Sequence, residues 1–174
     1  ASGAINVSES YLLTLDAFED YWQHLKPDGV LALNRHNTFK IAMMAQEFLE
    51  KKGLTSSRHM IVVEGEDRLN NGFYLKKSPF TDSEIQTFEI LAKERNVNIL
   101  YSALTEDEKN WYVRLLKKGE KNYFMGLKGL NLGTPTDNCP FFEHVEGLGR
   151  IDLSDVSTPE DIRWIHNVKK LGNT

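Results

Sequence analysis

Cysteine occurs once in these 174 residues, at Cys139. That excludes an intramolecular disulfide and a cysteine-based zinc site, and it suits a reducing compartment, so a cytoplasmic location is expected. Basic residues are not in excess: 21 Lys and Arg stand against 25 Asp and Glu, for a formal charge of −4. With no Lys/Arg cluster either, the long-range field draws neither nucleic acid nor an anionic membrane surface. No hydrophobic run approaches membrane-spanning length. The start, ASGAINVSES, lacks the basic beginning and apolar stretch of a signal peptide and reads as the interior of a longer chain. Strong catalytic signatures are missing as well: GxGxxG, GxxxxGK followed by Ser or Thr, HExxH, GxSxG and CxxC do not occur.

What is there suits one ordinary domain, or one plus a tail, with 40% hydrophobic and 26% charged residues. Leu15, Phe18, Trp22 and Leu25 recur at three or four positions, predicting a helix over residues 15–26 with Thr14 as N-cap, stopped by Pro27-Asp28-Gly29. Residues 30–33 are apolar without alternation, the mark of a strand covered on both faces, as parallel strands between helices are. Asn37 or Thr38 caps a second helix with the face Ile41, Met44, Ala45, Phe48 and Leu49, and Gly53 stands where a C′ glycine belongs.

Residues 60–63 form the next strand, 64–72 a turn region, and 73–77 a strand returning antiparallel, which makes a hairpin at a sheet edge. Thr81-Asp82-Ser83-Glu84 is a capping box, and Phe80 with Ile85 a hydrophobic staple, for a helix through about Arg95. Residues 98–101 add a short strand. A second box, Thr105-Glu106-Asp107-Glu108, is expected to open a helix carrying Trp111, Tyr112, Leu115 and Leu116, closed by Gly119. Residues 126–142, broken by glycine and proline, read as an extended surface loop, and Thr158-Pro159 starts a last helix ending near Lys169 and Lys170.

Three short clusters could carry chemistry. Ser8-Glu9-Ser10-Tyr11 precedes the first helix; a carboxylate there would bind an amine or ribose hydroxyls, or the serines would simply bond local backbone. Asn34-Arg35-His36 follows the apolar strand, at the edge where open α/β sheets hold ligands, and reads equally as a helix-entry loop with a solvated arginine. In Thr136-Asp137-Asn138-Cys139-Pro140-Phe141-Phe142 a polar turn meets two aromatics, with Asp137 either a ligand group or an Asx-turn former. Cys139 has no recognisable base and is no nucleophile candidate. His24, His59 and His166 are scattered over separate elements.

These clusters also carry a resemblance. SGAINVSESYLLTLDAFEDYWQHLKPDGVLALNRH, RHMIVVEG, FYLKKSPFTDSEI and PTDNCPFF occur in the order found in long bacterial spermidine synthase-like proteins of the S-adenosylmethionine-dependent methyltransferase-fold superfamily. The likeness covers roughly residues 2–142. It departs at Asn138 and Cys139, which stand where the late motif Thr-Asp-Asp-Arg-Pro-Phe-Phe has its second Asp and its Arg, so the charges of that pair are absent here.

The resemblance implies an α/β fold: a partial methyltransferase-like (Rossmann-like) sheet with one parallel-type strand and a carboxyl-terminal antiparallel hairpin, flanked by helices. Residues 1–125 would be the carboxyl-terminal half of that domain, and residues 126–174 a loop carrying TDNCPFF plus a terminal helix. Strand 30–34 would be the family's fifth and the hairpin its last two, paired 73–77 against 30–34. It further implies transfer of an aminopropyl group from decarboxylated S-adenosylmethionine, or of a methyl group from the intact cofactor, to a polyamine or other small acceptor. Glu9, Tyr11, Arg35, His36 and Asp137 would then contact substrate. The family's glycine loop and ribose-gripping acid lie upstream of the matching segment, so this chain is expected to bind no cofactor and to catalyse nothing alone. The alternative is a binding or assembly module that retains the fold. In either case the strand at 30–34 has a bare edge, and a homodimer through it or its flanking helices is expected unless the amino-terminal segment or the carboxyl-terminal helix folds over it.

Overall fold

A computed structural model of the chain describes residues 11–35, 37–65, 71–125 and 132–139. Glu9, His36, Phe141, Phe142 and the expected terminal helix lie outside the described residues.

A short 3-10 turn, Tyr11–Leu13, leads into α1, Leu15–His24. Thr14 caps it as expected, its hydroxyl accepting from the Ala17 N–H at 3.1 Å. Phe18 and Trp22 bury on one face, their rings edge-on to Phe48 of α2, Thr38–Lys51. α2 ends in a Schellman arrangement: the Gly53 N–H reaches Glu50 O and the Leu54 N–H reaches Leu49 O, with Gly53 at φ +71°. Its start is less regular. Asn37 holds the N-cap position at φ 70°, makes no side-chain cap bond, and leaves its buried Oδ1 without a partner.

Four strands form one sheet in the order β1-β3-β2-β4: β1 is Val30–Arg35, β2 Met60–Glu64, β3 Asn71–Lys76 and β4 Asn98–Tyr101. Every pairing is antiparallel. The hairpin β2–β3 and the pairing of β3 with β1 match expectation, but the hairpin is not at a sheet edge, because β4 pairs with the far side of β2. The covering of β1 on both faces does not match, because the strand alternates exposed with half-buried positions. Its place at the sheet edge agrees with the bare edge expected, and no parallel neighbour stands beside it among the described residues. Its unbroken apolar run predicts burial on both faces, whereas β2, with all five residues buried, is the strand that has it.

The sheet separates two cores. On one side Met60, Val62, Phe73 and Leu75 pack with α1, α2 and two short helices, α4 (Trp111–Leu116) and α5 (Lys121–Met125). On the other, Ile61 and Val63 pack with Phe80 and Ile85 beneath α3, Asp82–Glu94. The α3 capping box is formed in both directions. The second box is not. The Thr105 hydroxyl accepts from the Ser102 N–H at 2.8 Å within a turn, and α4 begins five residues later than Thr105's spacing would have it, with Asn110 accepting from the Tyr112 and Val113 N–H groups. Residues 132–139 are likewise no free surface loop, since Leu132 joins the first core.

Candidate functional site

The residues singled out from sequence fall in two places. Tyr11 and Asp137 come together at the amino end of α1. The Thr14 hydroxyl donates to Asp137 Oδ1 at 2.7 Å while serving as the helix cap, and it lies 3.4 Å from Tyr11 O. The arrangement is reciprocal: the Asp137 N–H donates to Asp16 Oδ2 at 2.9 Å, and the Leu15 N–H donates to Pro135 O at 3.0 Å. Thus the TPTDNC segment supplies acceptors to otherwise unsatisfied donors of the helix start, which is why it docks there. Tyr11 itself is 46% exposed, and Asn138 and Cys139 are exposed too.

A second anchor was invisible in the sequence. Glu47, on the outer face of α2, accepts from the Thr134 hydroxyl at 2.7 Å and from Lys121 at 3.0 Å, and pairs with Lys51 at 3.1 Å. Partial burial pushes its carboxyl up, but those three donors outweigh it and hold the group at about 2. No local pattern announces it, because its partners lie 74 and 87 residues away.

Arg35 closes β1, opposite Asn71 of β3. Next to this end opens a cleft of about 460 Å³ between the sheet and the last turns of α3. Ala32, Asn34 and Tyr74 form its floor, with Phe88, Leu91 and Arg95 along its wall. Gly72 keeps the floor open: a Cβ there would stand 2.7 Å from Val63 Cγ2 and 3.0 Å from the Tyr74 ring. Glycine inside a strand is the sequence signal for such close approach. Phe88 meets Tyr74 edge to face at 5.1 Å. The described lining holds no Asp, Glu, His, Cys or Ser; beside its apolar and aromatic surface, its polar side chains are Asn34, the Tyr74 phenol and the Arg95 guanidinium.

His24 and His59 each bond a backbone carbonyl through Nδ1, at 2.7 and 2.9 Å. Among the described residues no three His, Cys, Asp or Glu side chains group to hold a metal, and no helix is long and apolar enough to cross a membrane. No protein family, curated protein or solved structure compared with the chain matches it.

Proposed function

We propose that this chain is the carboxyl-terminal half of a spermidine synthase-like transferase domain and is not catalytic alone. The observation that carries the reading is the strand order β1-β3-β2, in which β1 and β2 run the same way and β3 is inserted antiparallel between them. The quoted motifs imply that insertion, and neither hydrophobic pattern nor strand length demands it.

In the parent reaction an amine attacks carbon beside a sulfonium, and catalysis requires the nucleophile to be held in line and deprotonated by a carboxylate. Glu9 would be an accessory acid toward a polycationic amine and Tyr11 a wall of its pocket, with Arg35, His36 and Asp137 near the acceptor. S-adenosylmethionine, or its decarboxylated form, would belong to the intact parent. The described residues do not fit it: the described lining of the cleft beside β1 has no carboxylate to take ribose hydroxyls, and the sequence has no GxGxxG motif. The lone exposed Cys139 suits a reducing cytosol as the site of action.

Reading the frame upstream of Ala1 tests the proposal. An Asp/Glu-x-Gly-x-Gly motif after a strand is expected, together with aminopropyl or methyl transfer by the extended chain. An extended chain without that motif overturns it. Calorimetric titration of the 174-residue chain with either cofactor should show no binding, and micromolar affinity would contradict the fragment reading. A second reading, an assembly module, is favoured by one feature, the edge of β1 left unpaired among the described residues.

A further inference from the structure

We infer that this chain pairs with a second copy of itself through β1, making one continuous antiparallel sheet across a two-fold axis at Ala32. The inference goes beyond the transferase reading and does not depend on it.

The backbone sets the argument. The Lys77 N–H donates to Gly29 O at 3.0 Å, so Gly29 and Lys77 are a hydrogen-bonded pair in the β1–β3 register. In an antiparallel ladder such pairs alternate. Leu31, Leu33 and Arg35 therefore turn their N–H and C=O groups toward β3, while Val30, Ala32 and Asn34 turn theirs outward. No described helix covers this edge, since every residue of β1 is exposed or half exposed. Proline, a bulge and an inward charge, the usual devices that blunt an edge, are absent from Val30–Asn34.

The opposite edge of the sheet is handled differently. β4 has four residues, its pairing with β2 shifts register between Val62 and Val63, and the Asn110 side chain donates to Leu100 O at 2.8 Å.

The occupant follows from self-complementarity. Antiparallel pairing about Ala32 sets it opposite the partner's Ala32 and sets Val30 opposite the partner's Asn34. Every outward N–H and C=O of both strands is then satisfied in one register. A shift of one residue puts outward groups against inward ones, and a shift of two leaves an end unpaired. Leu31 meets the partner's Leu33 on one face. Each end of the interface sets Arg35 beside the partner's Pro27-Asp28-Gly29 turn, whose Asp28 already accepts from the Ser78 hydroxyl at 3.0 Å.

The cleft also gains a wall. Ala32 and Asn34 belong to its floor, and the partner's Val30 lies beside Asn34 on that side. Strand pairing alone falls short of the roughly 800 Å² per partner of a standard interface, so the dimer forms at high concentration and dissociates on dilution. An upstream strand supplied by a longer chain would compete for the same edge.

Light scattering of this chain should give twice the monomer mass at about 100 µM. Ala32→Pro removes an outward N–H and no β1–β3 bond, a change that edge strands tolerate, so it should give a monomer with an unchanged circular dichroism spectrum. In a Cys139→Ser background, Ala32→Cys places two thiols on the axis, with Cα atoms about 5.5 Å apart, within disulfide range. Oxidation with diamide should cross-link it, whereas Val30→Cys, whose copies lie about 13 Å apart along the strands, should not cross-link. The inference is overturned by a monomer at that concentration, by a dimer that survives Ala32→Pro, or by equal cross-linking at positions 30 and 32.

Discussion

At the residue scale, Glu47 joins three parts of the molecule: its own helix through Lys51, α5 through Lys121, and the 132–139 segment through Thr134. Its carboxyl lies at about 2 against an ordinary 4.5, because the donors outweigh partial burial. A depressed folded-state value means that the carboxylate contributes fully above about pH 4.5 and loses that contribution as pH falls through 2. The side chain is 25% exposed, so solvent screening reduces the contribution to about 1–2 kcal/mol. Glu47→Gln should therefore lower stability at pH 7 by that amount in urea unfolding, and the gap to the native protein should close between pH 4.5 and 2. A gap independent of pH would mean that packing, not charge, is what the substitution removes. Glu84 titrates at about 2 as well, first through the Lys76 hydrogen bond, but its side chain is 44% exposed and it adds little.

At the scale of elements, much was legible wherever the controlling signal is local. Thr14, Gly53 and the Thr81–Glu84 box act within a turn or two of themselves, and they stand where spacing put them. The Thr105 box fails because the same hydroxyl can serve a tight turn, and the Ser102 N–H captures it. β1 fails differently: an apolar run reports composition, while burial depends on which strands lie alongside, and that is decided far away by β3. Of the residues singled out in the sequence, only Asn34 lines the cleft; Tyr74, Phe88 and Arg95 meet only after β3 and α3 have folded over β2. Gly72 shows how tight that closure is. With Tyr74 held edge-on by Phe88, the Tyr74 ring has little freedom to retreat from an added methyl 3.0 Å away, and Val63 stands nearer still at 2.7 Å. Gly72→Ala should cost about 1–3 kcal/mol as overpacking, read from the denaturant midpoint. A loss below about 0.5 kcal/mol would show that the β2–β3 ladder yields there at little cost.

At the scale of the whole molecule, the first and last described segments are tied to each other and not only to the sheet between them. Thr14 and Asp137, 123 residues apart, share a 2.7 Å hydrogen bond, flanked by Asp137 N–H to Asp16 and Leu15 N–H to Pro135 O. Loop closure over that distance costs entropy that grows only slowly with length, so a few such bonds plus burial of Leu132 suffice to hold the segment. The backbone bonds survive side-chain changes, which allows the side-chain share to be isolated. Thr14→Ala should cost about 1–2 kcal/mol, since it removes both the α1 cap and the Asp137 contact. Asp137→Ala should cost less, because the cap to Ala17 stays. The double variant should be less destabilising than the sum by about 0.5–1.5 kcal/mol, the coupling of one charge-assisted bond. Additivity within about 0.3 kcal/mol would show that the segment is held by its backbone and Leu132 alone. In that case limited proteolysis of Asp137→Ala should cut the segment no faster than in the native chain, whereas a real coupling predicts faster cleavage near residues 136–139.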